Sequence, residues 1–266
     1  MIGSGDPWLG GQISPTVTCV LAGNPSPMTL DGTNTWVISD HGQAVVVDPG
    51  PDNDEHLLAI VAALNAVDVR PESILLTHGH HDHSAGARKL AALLRVGVRA
   101  LDPTHRLGEE GLGEGDVVPV GGRHLDVIAT PGHSSDSLSF YDSEQRAVFT
   151  GDTLLGRGTT VVAWPDGSLA DYLRSLQRLQ RLADEWELEL ALPGHGPTVT
   201  DPQQLLAQYL EHRIERLEQV RTAIDAGAKS VAEVVELVYE PLPPGVYAAA
   251  FASASAQWHF LLGETE

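Results

Sequence analysis

Thr77-His78-Gly79-His80-His81-Asp82-His83 is the stretch on which the fold and the chemistry of this chain turn. At the spacing His-x-His-x-Asp-His it gathers three imidazoles and a carboxylate, the ligands that borderline-soft divalent metals such as zinc select. If the run leaves a strand as a tight loop, residues two apart turn to the same side. His78 and His80 then grip one metal, and Asp82 and His83 are offered to a second. His81 falls at the intervening position and is expected to point away. Structural zinc sites usually bring cysteines, and none lies near this run. An open, hydrolytic site is the better reading.

Three further segments each carry one ligand-grade side chain on a stiff turn after a strand: Thr130-Pro131-Gly132-His133-Ser134, Thr150-Gly151-Asp152-Thr153 and Pro193-Gly194-His195-Gly196-Pro197. Adding them gives His78, His80 and His133 for one metal and Asp82, His83 and His195 for the other. Asp152 has two carboxylate oxygens and can bridge both. Asp48, at a strand end before Pro49-Gly50, is a candidate to orient a ligating histidine from behind.

Working outward, Val17–Leu21, Thr35–Ser39 and Ala44–Val47 are β-branched runs separated by turn residues, and Asp40-His41-Gly42 suits a hairpin turn. Asp54 to Ala66 has helical apolar spacing. Ser73–Leu76 reads as a buried strand feeding the histidine run, and Ser84 to Leu94 as a helix capped by Ser84. Strands follow at Val98–Leu101, Val117–Val120, Leu125–Ala129, Leu138–Tyr141 and Ala147–Thr150. An amphipathic helix covers Leu169–Ala183, and a last strand Leu188–Leu192. This order predicts an α/β (α+β) chain folded as a four-layer αββα sandwich over residues 1–200. Residues 201–266 read as a small helical domain, with helices at Pro202–Asp225, Ser230–Val238 and Val246–Leu262. Pro241-Leu242-Pro243-Pro244-Gly245 separates the last two.

The 36 acidic residues against 16 Lys and Arg give a formal net charge of −20, which disfavours extended nucleic-acid binding. No apolar run approaches the ~20 residues a membrane span needs. Met1-Ile2-Gly3-Ser4-Gly5-Asp6-Pro7 has neither a basic n-region nor an apolar h-region. The single cysteine, Cys19, cannot form an internal disulfide. A cytoplasmic protein without membrane partners is therefore expected. Composition leaves its oligomeric state open.

The motif order His-x-His-x-Asp-His, His, Asp, His resembles that of the metallo-β-lactamase superfamily. The resemblance covers about Val17 to Thr198 and implies the αββα fold. More narrowly, Gly32-Thr33-Asn34-Thr35-Trp36, the run from Gly151-Asp152-Thr153 to Thr160, and the tail near His212-Arg213 are similar to the β-lactamase-like protein 2 group. That group carries a C-terminal winged-helix-like domain, and its best-known animal member is a single-strand endoribonuclease. Here Ala248–Leu262 lacks Lys and Arg, so a basic wing is absent or vestigial. The bridging Asp152 sets the chain apart from true metallo-β-lactamases.

These readings predict a hydrolase holding two Zn²⁺ per chain, which acidify a shared water. Asp152 bridges the metals and Asp82 steers the proton of the hydroxide. The expected substrate is a small-molecule ester or thioester. The alternative is a short single-stranded RNA, to which Arg174, Arg178 and Arg181 would offer a phosphate-contacting stripe. A mononuclear iron oxygenase and a non-catalytic metal-stabilised module are the remaining rivals. Arg157, just after the bridging aspartate, is a candidate substrate contact. Trp36 and Trp164 are candidates for the mouth and equally for the core.

Overall fold

The computed structural model describes residues 6–239, 241–242 and 246–263. The first five residues, Glu240, Pro243-Pro244-Gly245 and the last three residues lie outside them.

One sheet has the order β1 (Gly11–Ser14), β2 (Val17–Leu21), β3 (Asn34–Asp40), β4 (Gln43–Val47), β5 (Arg70–Leu75), β6 (Gly97–Arg99). The second runs β11 (Leu190–Pro193), β10 (Ala147–Gly151), β9 (Leu138–Asp142), β8 (Arg123–Ala129), β7 (Val117–Val120). Alternation along the strands of the first sheet sorts side chains to its two faces. Trp36, Ile38, Val45, Val47 and Leu75 face inward to meet Val127, Phe140, Phe149 and Leu192 of the second sheet. Val37, Val46 and Ile74 face outward against α1 (Asp54–Ala66) and α3 (Ala87–Leu94). The far side of the second sheet is covered by α4 (Leu169–Glu185) and α5 (Pro202–Asp225). The result is the αββα sandwich expected from the sequence.

Beyond β11 the described residues contain only helices: α5, α6 (Val231–Val238) and α7 (Tyr247–Leu262). These share a small apolar cluster of Val220, Ala223, Val234, Val235 and Ala254. No helix among the described residues is long and apolar enough to cross a membrane.

Several local readings need correction. The helix expected from Ser84 is two elements, α2 (His81–Ser84) and α3. Ser84 caps neither; it closes α2 and its hydroxyl donates to Gly79 O at 2.8 Å. The second half of the histidine run is therefore a helical turn, which rotates Asp82 and His83 inward and leaves His81 exposed. The edge strand β1 was missed because Gly-Gln-Ile-Ser has little β-branched character. Trp36 is only 1% exposed and packs edge-on against Phe149, its indole N–H donating to Pro193 O. It belongs to the core between the sheets, not to a mouth. Trp164 stacks on His259 of α7.

Two buried polar groups carry consequences. Arg123 on β8 donates to Asp142 at 2.8 Å and to Ser39 O of β3 at 3.0 Å, so it ties the two sheets together. Both side chains of the ion pair are almost wholly buried. Asp142→Ala leaves a buried cation unpaired and is expected to cost about 3–5 kcal/mol in urea unfolding. His56 on α1 is 4% exposed. Thr35 Oγ1 spends its proton on Asp48 O, so the 2.9 Å contact must be donated by His56 Nε2. A second proton would go on Nδ1, which is buried without a partner. Burial accordingly lowers the His56 pKa from 6.5 to about 4. The unfolded chain then binds more protons between those two values, so stability falls as pH drops through that window, by on the order of 3 kcal/mol. In His56→Gln the slope of stability against pH over this range should flatten; an unchanged slope refutes the assignment.

Candidate metal centre

All five strand-end turns that supply the candidate residues open at one edge of the sandwich. β5 leads into His78–His83, β8 into His133, β10 into Asp152, β11 into His195 and β4 into Asp48. Asn34 locks this edge. Its side-chain amide donates to Pro193 O at 2.9 Å and Gly196 O at 2.8 Å, and its backbone N–H donates to Gly194 O. The first sheet thereby grips the turn that carries His195.

The structure brings the seven side chains together in two trios. His78, His80 and His133 present ring nitrogens within 4.8 Å of one another, and so do Asp82, His83 and His195 for their donor atoms. Asp152 lies between them. Its Oδ1 is 3.4 Å from His83 Nε2, while its Oδ2 is 3.4 Å from His195 Nε2 and 3.6 Å from His133 Nε2.

Hydrogen bonds behind the rings decide what they can do. His83 Nδ1 faces Asp48 Oδ2 at 2.9 Å, His133 Nδ1 faces Val161 O at 2.8 Å, His195 Nδ1 faces Gly32 O at 3.1 Å, and His80 Nε2 faces Asp166 Oδ2 at 2.9 Å. Each outer partner is an acceptor, so each of these outer nitrogens carries a proton. His78 follows by elimination: Thr77 Oγ1 donates to Asp48 at 2.6 Å, so His78 Nδ1 must donate to Thr77 Oγ1 at 2.9 Å. Five imidazoles therefore turn their second nitrogens inward, where each can offer a lone pair to a metal.

Those inward nitrogens crowd one another. His78 Nε2 and His80 Nδ1 are 3.1 Å apart, His133 Nε2 and His80 Nδ1 3.0 Å, and His83 Nε2 and His195 Nε2 3.2 Å. Two lone pairs at such a distance repel unless a proton or a metal cation lies between them. Asp152 Oδ1 is also buried without a hydrogen-bond partner. The residues thus fit a metal centre. The electrostatics of the protein alone agree. Burial opposes protonation of His195, yet the Asp152 charge outweighs it and raises its pKa to about 9. The same two influences, with Asp48 added, push His83 well above its ordinary value. Burial holds His78 and His133 low. The second trio thus attracts positive charge strongly, while burial keeps His78 and His133 able to donate electron pairs.

Asp48 does more than its place in the sequence suggested. It accepts from Thr77 N, Thr77 Oγ1 and His83 Nδ1, and it keeps a left-handed backbone at φ 51° to do so. Such a conformation is tolerated where surrounding contacts fix it. Asp166 was not foreseen; in Trp164-Pro165-Asp166-Gly167 it reads as a turn residue, and only the fold brings it to His80.

A cavity of about 160 Å³ reaches His133 and Asp152 and is walled by Met28, Leu30, Leu155 and Arg157, among others. Arg157 therefore borders the site, but its guanidinium is ion-paired with Asp31. Of the proposed arginine stripe, Arg174 pairs with Asp171 and Arg178 with Glu114, so those two cations are already engaged.

A fold of this kind with a His/Asp cluster at one sheet edge defines a known class. The model of the metallo-beta-lactamase superfamily matches residues 28–195, and the chain belongs to that superfamily. It is 35% identical over 251 residues to an atrochrysone carboxyl ACP thioesterase of Aspergillus fumigatus, covering 88% of this chain and 76% of that protein. It is 34% identical to a beta-lactamase-like protein 2 homolog of Caenorhabditis elegans, covering 79% and 71%. The fold matches a beta-lactamase domain protein from Burkholderia ambifaria with a TM-score of 0.80 at 24% identity, over 98% of this chain and 91% of that one.

Gly194 gives a test of the geometry. A Cβ there would lie 2.5 Å from Asp152 Oδ1 and 2.7 Å from His83 Cε1. Gly194→Ala should displace both groups and lower metal affinity about 10–100-fold, the range seen when an outer partner of a ligand is lost. Unchanged affinity in a metal titration would contradict this packing.

Proposed function

We propose that the chain is a dinuclear zinc hydrolase of small-molecule thioesters or esters. The observation that carries the reading is the Asp152 carboxylate, with one oxygen toward His83 and the other toward His133 and His195. A single carboxylate between two donor trios is what a pair of bridged cations requires. His78, His80 and His133 would hold one ion, Asp82, His83 and His195 the other, and Asp152 both. Imidazole nitrogen and carboxylate oxygen without thiolate suit zinc in an open, catalytic site. Bound zinc supplies an acidified water and polarises a substrate carbonyl.

The chain's own residues prepare the rest. Asp48, Asp166, Val161 and Gly32 fix the tautomer and tilt of the rings, so little reorganisation is needed on reaction. Asp82 is half-buried, with Oδ2 3.2 Å from His195 Nε2. Its carboxylate is placed to orient the proton of the attacking nucleophile. The apolar walls of the cavity, Met28, Leu30 and Leu155, receive an acyl group and keep water from its far side.

The thioesterase named among the relatives supports a thioester over a phosphodiester. So do the net charge of −20 and the engaged Arg174 and Arg178. A single-stranded RNA substrate remains the rival, and a steep loss of activity with added salt is its signature.

Two zinc ions per chain are expected by mass spectrometry, with thioester hydrolysis lost on chelation and regained with zinc. Asp152→Asn and His80→Ala should lower bound metal and reduce kcat/KM by more than the about 100-fold that loss of an outer partner costs. Normal metal content and turnover in both variants would refute the assignment.

A further inference from the structure

A second cavity, of about 250 Å³, shares Thr159, Thr160 and Val161 with the one over the metal centre, and its other walls come largely from α5 and α7. Among the described residues its lining includes His212, Arg213 and Arg216 and no Asp or Glu. That is unusual in a chain with 36 acidic residues against 16 Lys and Arg.

Arg213 is only 5% exposed. One of its amino groups donates to Thr160 O, and the guanidinium lies over the Tyr172 ring. Its buried Nε has no hydrogen-bond partner. Arg216, one turn further on, lies over the Tyr239 ring and donates to Gln219 and Val238 O. Among the described residues no carboxylate pairs with either arginine, whereas Arg123, Arg157, Arg174 and Arg178 all have one. Two guanidinium groups three residues apart on one helix repel each other. A buried cation without a counter-ion is costly, and an oxyanion relieves both penalties.

The wall between the cavities is thin. Val161 O and Thr160 Oγ1 both contact His133 Nδ1, at 2.8 Å and 3.2 Å. A group seated beside Arg213 is therefore about one peptide from a candidate metal ligand.

We propose that this cavity is an oxyanion subsite, which takes a phosphate or carboxylate group of the substrate's leaving portion while the acyl group lies against the metal centre. Guanidinium groups match either oxyanion with paired, charge-assisted hydrogen bonds. The substrate class is thus a thioester or ester whose leaving group carries a negative charge. That last clause rests on the hydrolase reading; the anion site itself does not.

The test uses the full, zinc-loaded chain and two variants. Arg216→Gln removes one cation, and Ser253→Asp places a carboxylate in the cavity from α7, where Ser253 lines it. Sulfate titrated by calorimetry should bind about tenfold more weakly to each variant than to the parent. Any sulfate held by zinc is common to all three proteins and drops out of the comparison. For kinetics, one acyl group is presented on coenzyme A, which carries phosphates, and on N-acetylcysteamine, which carries none. The preference for the coenzyme A thioester should fall about tenfold in both variants. Equal sulfate affinity in all three proteins would overturn the subsite. Weakened sulfate binding with an unchanged preference would overturn its assignment to the leaving portion. Weakened sulfate binding in a protein that hydrolyses neither thioester would sustain the anion site and sink the hydrolase reading.

Discussion

Five imidazole rings turned into one small space are the constraint on which this molecule is organised. Each ring has its outer nitrogen bound to an acceptor, namely Asp48, Val161 O, Gly32 O, Asp166 or the Thr77 hydroxyl. That choice of outer partner turns the inner nitrogens toward one another, 3.0–3.2 Å from their neighbours. Such nitrogens repel as bare lone pairs and are drawn together by a shared proton or cation. Fixing them in advance is preorganisation, which ligand binding and electrostatic catalysis both reward.

The fold meets this demand by bringing strand ends from both sheets to one edge. Packing between the sheets, centred on Trp36, Phe140 and Phe149, sets the distance between the loops. Asn34 then fastens β3 to the His195 turn, and Arg123 fastens β8 to β3 lower down. The C-terminal helices join in as well. Tyr172 on α4 and Tyr209 on α5 bond the segment after Asp152, at Thr153 O and Leu155 N. Arg213 holds Thr160 O, so α5 braces the same loop that supports His133. A helical tail that looks separate in the sequence is mechanically part of the wall of the site.

Much of this was legible beforehand because it is local. The β-branched runs and the helical spacing of Asp54 to Ala66 are set by near neighbours. The hairpin at His41-Gly42 follows from two residues that accept positive φ. Where the reading slipped, a tertiary contact was responsible. Ser84 has the composition of a helix cap, but Gly79 O offers its hydroxyl a better partner and α2 closes instead. Trp36 could line a mouth or fill the core on its sequence alone, and its side chain lies on the inward face of β3. The arginines of α4 share a face as expected, and carboxylates from α4 itself and from Glu114 engage two of them.

The sequence alone determined which atoms are available: nitrogen and oxygen donors at strand-end turns. Ligand type and spacing are chemical facts that need no partner from elsewhere in the chain. Only the tertiary structure decided which nitrogen of each histidine faces inward. That depends on acceptors up to 163 positions away, such as Gly32 O behind His195. It also decided that Asp48 and Asp166 serve as outer partners and that Arg213 and Arg216 line one cavity. A hydrogen bond between distant residues leaves no periodicity in the chain, so only the packed molecule can disclose it.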